Sequence, residues 1–170
     1  PRRQRQMCIR DSVNAKTASL FSAACQVGSI SGLGTEAEVN ALKSFGTNFG
    51  MTFQLIDDAI DYSSNKKILG KNTGDDFKEG KITLPIILAY GRSNDKEKKF
   101  WERTISDLNQ NDGDFEMALE IINKYQCIED TLTRANHFSN VAVDSVDIFK
   151  DNIYKQKLVS LVTKSVSRIY

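Results

Sequence analysis

The apolar residues of the chain recur at helical spacing over most of its length. In the first such segment, residues 13–31, the apolar positions include Leu20, Phe21, Val27 and Ile30, separated by Ala, Ser and Gly. Apolar positions three or four apart place their side chains on one side of a helix. Because small residues let neighbouring helices approach closely, we predict a helix packed inside a bundle.

A second helix is predicted after a Gly-Leu-Gly sequence that ends the first. The hydroxyl of Thr35, followed by early carboxylates, suits a helix start, and we extend this helix to about Tyr62. Gly46 and Gly50 lie one turn apart within it. Glycine weakens a helix, so its presence twice predicts close packing at that point.

A polar loop is predicted over Ser63–Gly80, and five lysines lie in it or directly after it: Lys66, Lys67, Lys71, Lys78 and Lys81. Beyond the loop, Thr83 is a candidate helix cap, and Pro85 suits a first turn because its missing N–H needs no partner there. Further helices are predicted at about 95–109, 114–125, 127–150 and 152–169. Since no segment alternates like a strand, we predict an all-α fold.

Composition limits the class of protein. With 170 residues, 40% hydrophobic and 26% charged, the chain suits one soluble globular domain. No run approaches the ~18 apolar residues of a membrane span, so we expect no transmembrane segment and a cytoplasmic protein. The cysteines, at positions 8, 25 and 127, match no metal motif, and we expect buried free thiols.

Residues 1–12 are basic and differ in composition from the rest of the chain. They resemble the translation of a transposase-type sequencing adapter, so we assign them to an adapter-derived segment and residues 13–170 to the natural domain. The segment carries four Arg and one Asp, so the net charge of +1 becomes +1 − 3 = −2 without it. No electrostatic argument for nucleic-acid binding then remains.

The candidate chemistry lies at the end of the second predicted helix. Gln54, Asp57, Asp58 and Asp61 fall within about 100° of one another around the helix axis. Apolar residues occupy the opposite side: Leu55, Ile56, Ala59 and Ile60. The pattern is an acidic stripe on a helix that is otherwise suited to burial.

Such a stripe needs a compensating cation. Asp57 and Asp61 are a like-charge pair one turn apart, and no Lys or Arg occurs between Lys43 and Lys66. Mg²⁺ is a natural partner because it takes one or two carboxylates together with water and phosphate oxygens. A solvated acidic face at a helix end is the alternative. The lysine loop that follows favours a diphosphate held between metal and ammonium groups.

These segments together resemble the second aspartate-rich motif of trans-polyprenyl diphosphate synthases. The matching residues are Phe53-Gln54-x-x-Asp57-Asp58-x-x-Asp61, Leu69-Gly70-Lys71, Gly74-Asp75-Asp76 and Glu79-Gly80-Lys81-Ile82-Thr83-Leu84-Pro85. Upstream, Lys16-Thr17 resembles the Lys-Thr pair of that family. The exact residues of these motifs, together with Phe100-Trp101-x-Arg103-Thr104-Ile105, are most similar to the sequences of bacterial synthases that make octaprenyl to decaprenyl diphosphate. Those enzymes supply quinone side chains.

The resemblance implies an isoprenoid synthase-type helical bundle and a Mg²⁺-dependent prenyltransferase that condenses isopentenyl diphosphate with an allylic prenyl diphosphate. It implies metal binding by Asp57, Asp58 and Asp61. Substrate binding would involve Lys16, Lys71, Lys81, Phe53 and Gln54, and Lys16, Thr17 and Gln54 would act in catalysis. Family members are dimers, so we expect a homodimer. His137 has no matched partner, and we expect it to be structural.

The first aspartate-rich motif of the family, which lies upstream of the Lys-Thr pair, is absent from this sequence. We therefore expect a truncated, C-terminal half of the enzyme. One alternative is a non-catalytic helical subunit that pairs with a complete synthase. Another is a class I terpene cyclase, which the lysine loop disfavours.

Overall fold

A computed structural model describes residues 17–63 and 74–169. Within these ranges the chain forms eight α-helices: α1 Ser19–Ser31, α2 Glu36–Asp61, α3 Asp75–Lys78, α4 Leu84–Arg92, α5 Asp95–Trp101, α6 Asp114–Lys124, α7 Cys127–Ser145 and α8 Ile153–Val166. A π-helical turn, Glu102–Ser106, follows α5, and a 3₁₀ turn, Ser167–Ile169, follows α8. No strand occurs in the described ranges, so the predicted all-α class is confirmed.

The chain divides into two compact units. Of the described residues, the first unit contains 17–56 and 134–169, and the second contains 57–63 and 74–133. Helix α2 contributes its first 21 residues to the first unit and its last five to the second.

The core of the first unit is formed by α1, α2, α7 and α8. Its buried residues are Phe45, Phe49, Ala142, Val146 and Val162. The ring of Phe21 on α1 packs edge-on against Phe49, with 5.1 Å between ring centroids. Since these side chains come from four helices, the apolar stripes predicted from the sequence do meet in one core.

Helices α1 and α2 approach to backbone contact at two glycines. A methyl group added to Gly46 would lie 2.5 Å from the carbonyl oxygen of Phe21, and one added to Gly50 would lie 2.5 Å from the Cα of Ala18. No side chain fits at either position without displacing the backbone of α1. The close packing predicted from this glycine pair is confirmed.

The start of α2 is a reciprocal cap. The N–H and hydroxyl of Thr35 donate to Glu38 Oε2 at 2.7 and 2.8 Å, and the N–H of Glu38 approaches Thr35 Oγ1 at 3.4 Å. These bonds satisfy N–H groups that have no partner within the helix. The predicted helix start is confirmed.

The second unit has its own core, centred on Trp101. Trp101 is buried and its indole N–H donates to Ser93 Oγ at 3.1 Å. The other buried members of this core are Tyr62, Phe77, Ile86, Ala89, Phe100, Ile105, Ala118, Ile121, Ile122 and Cys127.

The helix predicted at 95–109 ends earlier than expected. The α-helix stops at Trp101, and the π-helical turn that follows leads into Leu108, which has a positive φ of 52°. Arg103, within this turn, forms two parallel hydrogen bonds with the carboxylate of Asp114, at 2.7 and 2.8 Å. This bidentate pair joins the turn to the start of α6.

Two other helix ends differ from the prediction. Helix α7 ends at Ser145 rather than near residue 150, and α8 begins at Ile153. The side chain of Asn152 accepts from the N–H groups of Tyr154 and Lys155, which caps α8. Thr83 is the N-cap residue of α4, as predicted, although its side chain makes no capping hydrogen bond.

Among the described residues, no helix is long and apolar enough to cross a membrane. Cys25 and Cys127 are free thiols, and Cys127 is buried. Burial raises the pKa of Cys127 to about 11, which keeps it protonated at neutral pH.

Candidate functional site

The acidic stripe lies at the C-terminal end of α2. Its apolar side is buried, with Leu55, Ile56 and Ala59 each at most 2% exposed, as the sequence pattern predicts. Asp57 and Asp61 are partly exposed, whereas Asp58 is only 3% exposed. The stripe therefore divides into two partly exposed carboxylates and one that is buried.

Asp61 is joined to the chain that follows the lysine loop. Its Oδ2 accepts from the backbone N–H of Asp76 at 3.0 Å, and its carbonyl oxygen accepts from the N–H of Gly74 at 3.0 Å. Partial burial raises the pKa of Asp61, and the nearby charges of Asp76 and Asp75 raise it further. The helical spacing predicted Asp57 as the neighbouring charge of Asp61, whereas the contact with Asp76, 15 residues further along, was not predicted.

Lys81 is the cation that the structure places among these carboxylates. Its Nζ lies 2.5 Å from Asp76 Oδ1. Partial burial by itself lowers the pKa of Lys81, but the hydrogen bond and charge of Asp76 and the charges of Asp58 and Asp57 raise it overall. Gly80, directly before Lys81, has a positive φ of 63°, a conformation that glycine adopts without strain.

Two buried hydroxyls lie beside this group. Tyr62 and Thr83 are 1% and 3% exposed, and within the described residues neither hydroxyl meets the full geometry of a hydrogen bond. Burial raises the pKa of Tyr62, the nearby Thr83 hydroxyl lowers it, and the charges of Asp76, Asp61 and Asp58 raise it further. Tyr62 therefore stays neutral in this acidic surrounding.

The donor atoms of the acidic stripe suit a hard divalent cation, since they are carboxylate oxygens. Among the described residues, no three His, Cys, Asp or Glu side chains form a ready-made ligand set.

In the first unit, Thr17 and Gln54 meet as a polar pair. The hydroxyl of Thr17, just before α1, donates to Gln54 Oε1 on α2 at 2.7 Å. The two residues are 37 positions apart and both are partly buried. The sequence analysis assigned both to one site, and the structure brings them together.

Phe53 has a cationic neighbour that the sequence analysis missed. The guanidinium carbon of Arg168 lies 5.5 Å from the centroid of the Phe53 ring, and the centroid of the Phe21 ring lies 5.8 Å from the same point. Arg168 forms no ion pair with a described residue. By contrast, Arg92 and Arg103 are paired with Asp130 and Asp114. An isolated basic residue near a chain end carries no signal in the sequence pattern.

Three further residues were singled out in the sequence: Lys16, Lys71 and His137. Lys16 and Lys71 lie outside the described residues. His137 is exposed on α7, beside the ring of Phe138.

Comparison with known proteins decides the family. The family model described as polyprenyl synthetase matches residues 8–122. The chain belongs to the polyprenyl synthetase family. Within it, the chain is 38% identical over 158 residues to the octaprenyl diphosphate synthase of Haemophilus influenzae, covering 93% of this chain and 48% of that protein.

Solved polyprenyl synthetase structures match the fold closely. A decaprenyl diphosphate synthase from Rhodobacter capsulatus matches with a TM-score of 0.90 and 36% identity, over 97% of this chain and 51% of that one. A polyprenyl synthase from Caulobacter crescentus, complexed with calcium and isoprenyl diphosphate, matches with a TM-score of 0.88 and 40% identity, over 95% and 49%. The chain thus spans about half the length of the relatives it matches.

Proposed function

We propose that this chain is part of a trans-polyprenyl diphosphate synthase, a prenyltransferase that joins isopentenyl diphosphate to an allylic prenyl diphosphate. The observation that carries the proposal is the acidic end of α2 with Lys81 beside it, in a chain of the polyprenyl synthetase family. Carboxylates and an ammonium group on neighbouring segments suit a diphosphate that departs with negative charge. The names of the relatives support the same reaction class.

The acidic stripe is assigned to divalent metal binding. Asp57 would be a direct ligand, with Asp58 and Asp61 holding the ion directly or through water. The calcium bound in the Caulobacter crescentus relative supports a divalent ion, and we propose Mg²⁺. Bound there, Mg²⁺ supplies charge stabilisation for a departing diphosphate. Lys81 would place its ammonium group toward the same diphosphate, with Lys16 and Lys71 as further phosphate ligands.

Residues of the first unit are assigned to the reacting carbon chain and the second substrate. The oxygens of Thr17 and Gln54 would stabilise an allylic cation by their dipoles, and their mutual hydrogen bond orients both groups. Phe53 would line the pocket for isopentenyl diphosphate. Arg168, stacked on that ring, would add a positive charge for its diphosphate.

We propose the length of the prenyl product from the names of the relatives. The octaprenyl and decaprenyl synthases among them support a long-chain product, such as a quinone side chain. We further propose a homodimer and a cytoplasmic enzyme.

The proposal is tested by supplying the half that this chain does not span. The chain is fused in frame behind the complementary part of the Haemophilus influenzae relative, and incorporation of labelled isopentenyl diphosphate into chain-extended product is measured. We expect Mg²⁺-dependent elongation that EDTA abolishes. A folded fusion that binds the family substrates but forms no extended product would contradict the proposal.

A non-catalytic subunit is the second candidate. One relative, 32% identical over 155 residues, is named decaprenyl-diphosphate synthase subunit 1, from Schizosaccharomyces pombe, and this name favours a subunit of a larger synthase. If the chain is such a subunit, we expect it to co-purify with a complete synthase and to change the activity of that synthase. The crowded carboxylates of α2 argue for the enzyme, because binding alone does not require them.

A further inference from the structure

Lys81 lies directly after the turn that ends the short helix α3. The N–H of Lys81 donates to the carbonyl oxygen of Asp76 at 2.9 Å, and the N–H of Gly80 donates to that of Phe77 at 3.0 Å. With Gly80 at a positive φ of 63°, these bonds form a Schellman motif, in which the side chains at the two ends lie next to each other. Those side chains are Lys81 and Asp76, which form the ion pair described above. The backbone of the turn therefore sets the position of the Lys81 ammonium group.

Helix α3 is too short to hold this turn in place by itself. It has four residues, and a single helical turn is unstable without tertiary support. The segment that follows the π-helical turn packs against its end, because a methyl group added to Gly80 would overlap Leu108 and would lie 2.9 Å from the carbonyl oxygen of Ile105. Leu108 adopts a positive φ of 52° there, a conformation that is costly for leucine. The Schellman turn thus rests closely on residues 105–108.

The side chain of Gln110 links the same two segments by hydrogen bonds. Its Nε2 donates to the carbonyl oxygen of Phe77 at 2.7 Å and to that of Thr104 at 2.9 Å. The carbonyl of Phe77 belongs to the Schellman turn, and Thr104 is fully buried within the π-helical turn. Since an amide nitrogen carries two hydrogens, Gln110 makes both bonds at once. It therefore connects the turn before Lys81 to the backbone of the π-helical turn.

Gln110 is itself held by the pair of Arg103 and Asp114. Arg103 Nη1 also donates to the carbonyl oxygen of Asn109 at 2.7 Å, and the N–H of Asn111 donates to Asp114 Oδ2 at 2.7 Å. Each neighbour of Gln110 in the sequence is thus bonded to one member of a bidentate ion pair. Because the backbone on both sides is fixed, the amide of Gln110 restrains the turn that it contacts.

We propose that Gln110 is a positioning residue for Lys81, which it fixes by holding the carbonyl group of Phe77. Asp61 restrains the start of α3 through the N–H of Asp76, and Gln110 restrains its end. The inference rests on the proposed function, since it takes Lys81 as a ligand of the departing diphosphate. Gln110 then contributes to substrate binding only through the placement of that ammonium group.

The position of Lys81 is first tested in the full chain without substrate or metal, by its rate of acetylation with acetic anhydride, measured by mass spectrometry. An amine in an ion pair with a carboxylate reacts slowly because it remains protonated. Gln110→Glu keeps the length of the side chain and removes both N–H donors. We expect it, and also Gln110→Ala, to speed acetylation of Lys81 about threefold or more, while exposed Lys96 is unaffected. Asn123→Ala, which removes an exposed amide of α6, is the control and should leave both rates unchanged.

The effect on substrate binding is then measured in the fused enzyme. We expect Gln110→Glu to raise KM for the allylic diphosphate about tenfold and to leave KM for isopentenyl diphosphate unchanged. Lys81→Met removes the ammonium group but keeps most of the side-chain length. In that background Gln110→Glu should have no further effect on KM, because a residue that acts through Lys81 has no ammonium group left to position.

Three results would overturn the proposal. They are an unchanged acetylation rate of Lys81 in both Gln110 variants, faster acetylation of all lysines together, which would mean a general loss of the fold, and an undiminished effect of Gln110→Glu in the Lys81→Met background. An unchanged KM for Lys81→Met alone would instead contradict the diphosphate role of Lys81 in the proposed function. The acetylation rates would still show whether Gln110 holds that side chain in place.

Discussion

The side chain of Asp61 and the backbone N–H of Asp76, 15 residues further along, are joined by a 3.0 Å hydrogen bond. Because the carbonyl oxygen of Asp61 also accepts from Gly74, the end of α2 holds the segment after the lysine loop at two points. Lys81 then reaches Asp76. The position of Asp76 and of Lys81 thus depends on the carboxylate of Asp61, which is itself a candidate metal ligand.

Asp61→Asn should change how stability depends on pH in the absence of metal. The pKa of Asp61 is raised in the folded chain by burial and by the charge of Asp76. The folded state therefore retains the proton to higher pH than the unfolded state, and its contribution to stability is present below the ordinary pKa, ~3.9, and lost as pH rises through the raised value. Asn keeps an oxygen that can accept the Asp76 N–H.

The measurement is the free energy of unfolding in urea across the acidic and neutral pH range with EDTA present. Above the raised pKa, the wild type should lose stability relative to Asp61→Asn. Asp112→Asn, at an exposed position in the same unit, serves as control. If the free energy of unfolding varied with pH in the same way for Asp61→Asn and the wild type, the Asp61 carboxyl would not be the source of the pH dependence.

Asp57→Ala distinguishes a metal-binding site from an acidic helix face that only contacts solvent. In the fused, complete enzyme we expect turnover to fall about 100-fold or more, since one stabiliser of the departing diphosphate is lost. The fold should be retained because alanine favours the helix. Turnover is measured against Mg²⁺ concentration, with Asp144→Ala, an exposed aspartate of α7, as control. Wild-type turnover of Asp57→Ala at limiting Mg²⁺ would refute the ligand assignment.

Gly46→Ala should destabilise the chain although alanine is the better helix former. The gain in helix propensity is about 0.5–1 kcal/mol, and the forced separation of two backbones costs about 1–3 kcal/mol. We expect a net loss of about 1–2 kcal/mol in denaturant unfolding. Gly28→Ala, on α1 with open space around it, should instead gain stability. Equal effects of the two changes would mean that the contact is not tight.

Arg168→Gln should weaken the binding of isopentenyl diphosphate. Glutamine removes the positive charge, and we expect KM for isopentenyl diphosphate to rise about tenfold, while KM for the allylic substrate changes less. Arg134→Gln, at an exposed position in the same unit, should leave both values unchanged. The comparison is made in the fused enzyme. A similar rise for both substrates, or none for either, would remove Arg168 from the isopentenyl pocket.

Local patterns of the sequence predicted the features that depend on neighbouring residues. The cap at Thr35, the buried side of α2 and the glycine contacts follow from spacings within one or two turns. The roles of Thr17 and Gln54 in one site were expected from the resemblance to a family, whereas their hydrogen bond, between residues 37 positions apart, was not predicted.

The features that the sequence analysis missed depend on tertiary contacts. Asp76 joins the acidic group through a backbone N–H, which no side-chain pattern encodes. The π-helical turn after Trp101 and the pairing of Arg103 with Asp114 combine two segments whose separate patterns predict only helices. Arg168 became a candidate because of the ring it covers.

The contact at Gly50 has a consequence for engineering. Ala18 follows Thr17 directly, and Gly50 lies one turn before Gln54, so the two backbones act as a spacer that sets the reach between the hydroxyl and the amide. A design protocol that replaces helical glycines with alanine to raise the melting temperature would widen this gap. Variants designed in this way gain stability at other positions. They nevertheless lose the alignment of Thr17 with Gln54, although neither residue has been substituted.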